Sequence, residues 1–96
     1  MISTEQIATI VNTIRTRFNP TKIYLFGSYA HGTAGENSDL DILVVKHTVT
    51  DKMKELIDIK KELISKDYST DILLYSEKEY ATKLSEGWRL FETIQK

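Results

Sequence analysis

Twelve residues, Gly27 to Ser38, separate two short apolar runs, and they hold three of the chain's four glycines. The run before them is Lys22-Ile23-Tyr24-Leu25-Phe26, and the run after them contains Ile42-Leu43-Val44-Val45. Both are β-branched or aromatic, too short for helices and bounded by turn formers, which reads as two strands joined by an ordered loop. The loop opens on Gly27-Ser28 and, after ten further residues, delivers Asp39-Leu40-Asp41 to the start of the second strand. Glycine permits positive φ and close backbone approach at the turn. Ser28 offers a hydroxyl and, as the expected N-cap of a short helical segment, stands where free helix N–H groups point outward.

The rest of the chain surrounds this loop with ordinary elements. Ser3 and Gln6 make a capping box, and Ile7, Ile10, Val11, Ile14 and Phe18 keep to one helical face. Residues 4–17 are therefore expected to be an amphipathic helix, stopped by Asn19-Pro20. Strands are expected at 22–26 and 39–46. Thr50 or Asp51 caps a helix to about Ser65, with Met53, Leu56, Ile57, Leu63 and Ile64 inward and lysines outside. Thr70 to Tyr75 reads as a third strand, and Ser76 with Glu79 as a second capping box for a helix that Gly87 ends. Trp88 to Ile94 reads equally as a short strand or a helical turn. The order α-β-(short α)-β-α-β-α predicts an α/β (α+β) fold, a mixed β-sheet with helices packed against it. The second and third strands, nearly continuous apolar runs, belong at its centre or under cover on both faces.

With 96 residues the chain is expected to be a single domain near the lower limit for a self-sufficient core. Thirteen basic side chains against 14 acidic ones leave a net charge of −1, which argues against a strongly basic nucleic-acid surface. No apolar run approaches the ~20 residues of a membrane span, and Met1-Ile2-Ser3-Thr4-Glu5 lacks the blocks of a signal peptide. The absence of cysteine excludes disulfides and thiolate metal sites and is compatible with a cytoplasmic location.

The acids carry the chemistry. Alternation along a strand puts Asp39 and Asp41 on one face, roughly 7 Å apart between Cα atoms. Two such carboxylates approaching to about 5 Å repel by roughly 3 kcal/mol at an effective dielectric near 20. A bound Mg²⁺ reverses the sign, and carboxylates are its natural protein ligands. Asp71 opens the third strand in the phase in which Asp39 opens the second, so adjacent strands bring it beside the pair. It would help bind a second metal and orient or deprotonate an attacking hydroxyl; two ions ~3.5–4 Å apart clamp the two oxygens of an in-line displacement. Gly27 and Ser28 suit the β- and γ-phosphates of a nucleoside triphosphate, leaving the metals over the α-phosphorus. Taken singly, Gly-Ser is usually a turn and Asp-x-Asp usually solvated edge charge. Their conjunction, with strands on both sides and a third acid in phase, is what points to nucleotidyl transfer.

The pattern Gly27-Ser28, ten residues, Asp39-x-Asp41, with Asp71 downstream, resembles the minimal nucleotidyltransferases of the DNA polymerase β-like superfamily. The fuller stretch from Gly27 to Val44, with the terminal Glu86-Gly87-Trp88-Arg89-Leu90-Phe91-Glu92, looks like the MntA antitoxin branch of that family. The resemblance implies a nucleotidyltransferase palm and catalytic, metal-binding Asp39, Asp41 and Asp71. It implies ATP as substrate with Mg²⁺, two ions, as cofactor. It also implies a HEPN-domain toxin ribonuclease as partner, in a hetero-oligomer, with AMP transferred to a toxin tyrosine. Larger relatives carry an extra acceptor domain, and the length of this chain is expected to leave the acceptor to a separate protein. One departure is His31, where the family commonly has arginine; histidine is mostly neutral at pH 7 and lacks that residue's charge for phosphate. The rival readings are a non-enzymatic subunit that covers the toxin's site, and a nucleotidyltransferase acting on a small molecule such as an antibiotic.

Other residues divide between roles. Tyr29 would stack on a base, face a partner or pack in the core. Ser38 is placed to hydrogen-bond the loop. Lys52, Lys54, Lys60, Lys61 and Lys66 read as the wet face of a helix, and Lys46 and His47 as solvated. Trp88, Leu90 and Phe91 read as late core or partner surface.

Overall fold

The computed structural model describes residues 2–65, 67–87 and 94–95, with only the backbone considered at His31, Ile94 and Gln95. The expectations for Trp88, Leu90 and Phe91 lie outside the described residues, as does Lys66. In chain order the elements are α1 (Thr4–Phe18), β1 (Lys22–Phe26), α2 (Ser28–His31), β2 (Leu40–Lys46), α3 (Lys52–Glu62), β3 (Thr70–Ser76), α4 (Glu77–Ser85) and β4 (Ile94–Gln95). No helix among them is long and apolar enough to cross a membrane.

Local chemistry explains the boundaries. Ser3 accepts from the Gln6 N–H at 3.1 Å while the Gln6 side chain accepts from the Ser3 N–H at 2.8 Å, so the first capping box is closed in both directions. Asn19 ends α1 in the left-handed region at φ 50°, one of the few non-glycine residues that tolerates it. Ser76 and Glu79 repeat the reciprocal cap at the start of α4.

The sheet order is β3-β2-β1-β4. Strand β2 runs antiparallel to β1 and parallel to β3, and β4 pairs antiparallel with β1, so the sheet is mixed as the element order predicts. One face carries Ile23 and Leu25 of β1, Ile42 and Val44 of β2, and Ile72 and Leu74 of β3. It buries them against Ile10, Val11 and Ile14 of α1 and against Ile59 and Leu63 at the end of α3. Each fully buried side chain of this kind stabilises the fold by about 1.5–3 kcal/mol. On the opposite face Leu43 and Val45 are also buried. Helix α4 packs there, with the Tyr80 ring 5.6 Å from the Tyr24 ring. The central, two-sided burial expected of β2 and β3 is therefore met by β2 alone; β3 is an outer strand of the sheet that buries Ile72 and Leu74 on one face, while Leu73 and Tyr75 on the other are only half-buried.

Helix α3 departs from expectation. Asp51 is its cap, accepting from the Lys54 N–H at 3.1 Å, but the helix stops at Glu62, where the Leu63 N–H donates to Lys60 in a tighter turn. Leu63 is buried and Leu56 packs on the core as expected, but Met53, Ile57 and Ile64, also expected inward, are 69%, 44% and 80% exposed, and Ile59, not among them, is buried. The sequence offers two overlapping apolar stripes, and a polar anchor accompanies the one realised. Glu55 accepts from Lys46 Nζ of β2 at 2.6 Å and from the N–H groups of Thr50 and Asp51 at 3.0 and 3.1 Å. That grip holds α3 with Leu56, Ile59 and Leu63 toward the core, and it draws Lys46, expected to be solvated, into a largely buried ion pair.

Candidate active site

Strand directions assemble the site. β1 ends at Phe26, and antiparallel pairing sets Phe26 opposite Asp41 near the start of β2. β3 is parallel to β2, so its start lies at the same edge, with Asp71 the register partner of Asp41. The end of one strand and the starts of two others thus converge, and Gly27-Ser28 leaves β1 at that point. Neighbouring strands lie about 4.8 Å apart, which brings the Asp41 and Asp71 backbones into adjacency. Asp71, matched in the sequence reading by phase with Asp39, is paired with Asp41 instead.

Gly27 turns the chain at φ 71° and ψ −153°, a combination open essentially to glycine alone. It also lies against a carboxylate: a Cβ added at Gly27 would fall 2.1 Å from Asp41 Oδ2 and 3.0 Å from its Cγ. Gly27 is the N-cap of α2 and makes no side-chain cap, so Ser28 is the first helical residue and not the cap expected for it. The reason is the backbone: the positive φ that turns the chain out of β1 falls on Gly27, and Ser28 already has helical geometry. The Ala30 N–H donates to the Gly27 carbonyl at 3.1 Å, which leaves the N–H groups of Ser28 and Tyr29 as those without intrahelical partners by helix geometry. Gly32, at φ 76°, closes this short helix, its N–H donating to the Ser28 carbonyl.

The three acids differ in setting. Asp41 is half-buried, whereas Asp39 and Asp71 are exposed. Burial, then the charge of Asp71, then that of Asp39 push the Asp41 carboxyl above its ordinary value. Asp39 lies one residue before β2, and Ser69 Oγ donates a hydrogen bond to its Oδ1. Sequence reasoning missed Ser69; its one signal is its position two residues before Asp71, the same offset that separates Asp39 from Asp41.

The remaining loop residues have structural partners. Ser38 Oγ accepts from the Gly35 N–H at 2.9 Å and its own N–H donates to the Gly35 carbonyl at 3.2 Å, the loop bond expected of it. Tyr29 packs on the core, and its hydroxyl accepts from the Ile2 N–H at 2.8 Å. Packing, one of its open readings, is thus realised. A cavity of about 300 Å³ is lined by Tyr29, Ser38, Tyr68, Ser69 and the acids Glu36 and Asp67 among others, so it reaches the neighbours of Asp39 in sequence and by hydrogen bond.

The donors suit a hard divalent cation. All three are carboxylates, the hard oxygen donors that such a cation takes. Among the described residues no three carboxylate, histidine or cysteine side chains, Asp39, Asp41 and Asp71 included, stand close enough together to hold a metal ion by themselves. An open carboxylate edge is what Mg²⁺ uses, since it retains waters and takes substrate phosphate oxygens as further ligands.

A family model described as "Polymerase beta, Nucleotidyltransferase" matches residues 8–92. The chain belongs to this family. It is a nucleotidyltransferase. Solved structures agree in fold. One is a protein from Sulfolobus solfataricus assigned to the nucleotidyltransferases, at TM-score 0.63 and 21% identity, covering 93% of this chain and 74% of that one. Another, a toxin-antitoxin with AMP-PNP, reaches TM-score 0.59 and 32% identity over 70% of this chain and 55% of that one. A third, the toxin-antitoxin MntA-HpeT in a mutant form, reaches TM-score 0.67 and 25% identity over 92% and 69%. This nucleotidyltransferase thus spans little more than half the length of the relative with AMP-PNP. No curated protein is significantly similar to it.

Proposed function

We propose that this nucleotidyltransferase is an MntA-like antitoxin that transfers AMP from ATP to a tyrosine hydroxyl of a partner HEPN-domain toxin ribonuclease, blocking RNA cleavage. The observation that carries the reading is the convergence of Asp39, Asp41 and Asp71 at one sheet edge beside Gly27-Ser28. The two toxin-antitoxin relatives support the class of partner, and the one with AMP-PNP supports a nucleoside triphosphate as donor.

In this reading Asp39 and Asp41 hold two Mg²⁺ ions, with Asp71 completing the set. When bound, Mg²⁺ neutralises phosphate charge and orients the attacking and leaving oxygens. The opening N–H groups of α2 and the Ser28 hydroxyl bind the β- and γ-phosphates. Asp71, exposed at the edge, accepts the phenolic proton as the tyrosine oxygen bonds to the α-phosphorus. The bond from that phosphorus to the oxygen bridging to the β-phosphate breaks, and pyrophosphate leaves with the electron pair. The cavity lined by Tyr29, Tyr68, Ser69, Glu36 and Asp67 gives an acceptor side chain a place to enter next to the acids.

The test is incubation of the purified chain with its toxin partner and Mg²⁺-ATP, followed by intact mass of the partner. Addition of one or more adenylyl groups to a tyrosine, with loss of ribonuclease activity, is the expected result. A toxin inhibited but unmodified would replace this reading with pure binding. Transfer to an antibiotic in preference to the toxin would replace the acceptor.

A further inference from the structure

Asp39, Asp41, Ser69 and Asp71 form a two-by-two array at the sheet edge. Asp41 and Asp71 are register partners, and the Leu40 N–H donates to the Ser69 carbonyl at 3.0 Å, carrying the ladder one step further out. Ser69 therefore lies beside Asp39 as Asp71 lies beside Asp41. Three corners are carboxylates and the fourth is a neutral hydroxyl donor. Asp41 is held by burial and by its close fit to Gly27, whereas Asp39 is exposed and stands outside β2. Like charge on Asp41 and Asp71 drives an unrestrained Asp39 carboxylate outward, away from the position a shared metal needs. The Ser69 hydroxyl opposes this by a charge-assisted bond to Oδ1, leaving Oδ2 free.

We propose that Ser69 is a positioning residue that aims the Asp39 carboxylate at the metal site. The inference rests on the reading of Asp39 as a metal ligand, and its test reads metal binding apart from transfer. Mn²⁺ is titrated by electron paramagnetic resonance into wild type, Ser69→Ala and Ser69→Thr in the presence of a non-hydrolysable ATP analogue, with thermal melts as a check on folding. Loss of an outer-shell partner typically weakens a metal about 10–100-fold. Ser69→Ala is expected to weaken Mn²⁺ about tenfold at an unchanged melting temperature, with Ser69→Thr restoring it to within about twofold. In transfer assays the Ala variant should need correspondingly more Mg²⁺ for half-maximal rate while its rate at saturating Mg²⁺ changes little. Equal Mn²⁺ affinity in wild type and Ser69→Ala, or a Thr variant as weak as Ala, would overturn the proposal. A wild type that binds Mn²⁺ but transfers no AMP would overturn the proposed function and leave the Ser69 result standing. A wild type that binds no Mn²⁺ would overturn both.

Discussion

Gly27 and Asp41 are fitted to each other so closely that one Cβ on residue 27 would stand 2.1 Å from Asp41 Oδ2. The glycine serves two ends at once. Its left-handed backbone turns the chain from β1 into α2, and its missing side chain makes room for the half-buried carboxylate.

Gly27→Ala is therefore expected to fail twice. The backbone at φ 71° and ψ −153° becomes strained by about 1–3 kcal/mol, and the Asp41 carboxylate must move. A lower melting temperature together with transfer reduced to background would bear this out; a variant with wild-type turnover would show that Asp41 need not hold its observed position.

Asp41→Asn is expected to separate stability from activity. The folded-state pKa of Asp41 is raised, so its ionised form is disfavoured in the fold at neutral pH and protonation stabilises as pH falls through the folded value. In metal-free buffer at pH 7 the Asn variant should melt at or above the wild-type temperature. Transfer should nevertheless fall by more than about a hundredfold, beyond the loss of an outer-shell partner. Added Mg²⁺ with nucleotide should raise the melting temperature of wild type far more than that of the variant.

Glu55 should govern acid stability. Its hydrogen bond from Lys46, followed by that from the Asp51 N–H, holds its carboxyl down at about 2, against an ordinary 4.5. A depressed acid stabilises the fold above the ordinary value and loses that contribution as pH falls from about 4.5 toward 2. With both side chains about one-fifth exposed, Glu55→Gln should cost about 1–2 kcal/mol at pH 7 after discounting for solvent screening. Melting curves of the two proteins should converge near pH 2; a gap independent of pH would mean that the packing of Glu55, not its charge, matters.

The rotation of α3 can be checked by two truncations. Ile59 is fully buried, so Ile59→Ala should cost about 2–5 kcal/mol in denaturant unfolding. Met53 is largely exposed, so Met53→Ser should stay within about 0.5 kcal/mol. Equal costs would return Met53 to the core.

Much of this was readable residue by residue. The Ser3–Gln6 and Ser76–Glu79 boxes involve neighbours three positions apart, and each formed as the sequence implied. The strands at 22–26 and 70–76 also follow from short apolar runs between turn formers. The loop bond of Ser38 was foreseeable for the same reason, since its partner Gly35 is three residues away. Reading failed where two local solutions were nearly equivalent. With Leu56 and Leu63 inward, Met53 and Ile57 complete an apolar stripe as well as Ile59 does, and contacts to distant segments, Lys46 with Glu55, Lys52 with Glu79 and Arg17 with Glu62, accompany the choice of Ile59.

The amino-acid sequence by itself determined the order of the helices and strands up to α4, that a glycine-serine bend precedes two phased aspartates, and hence the class of chemistry. These depend on side-chain periodicity, caps and conformational freedom within a few residues. Tertiary structure alone decided that Asp71 faces Asp41, that Ser69 binds Asp39, and that Asp41 fills the space left by Gly27. Each is a pairing between segments distant in the chain, and pairing is set by strand order and register, which emerge only when the whole sheet packs against its helices.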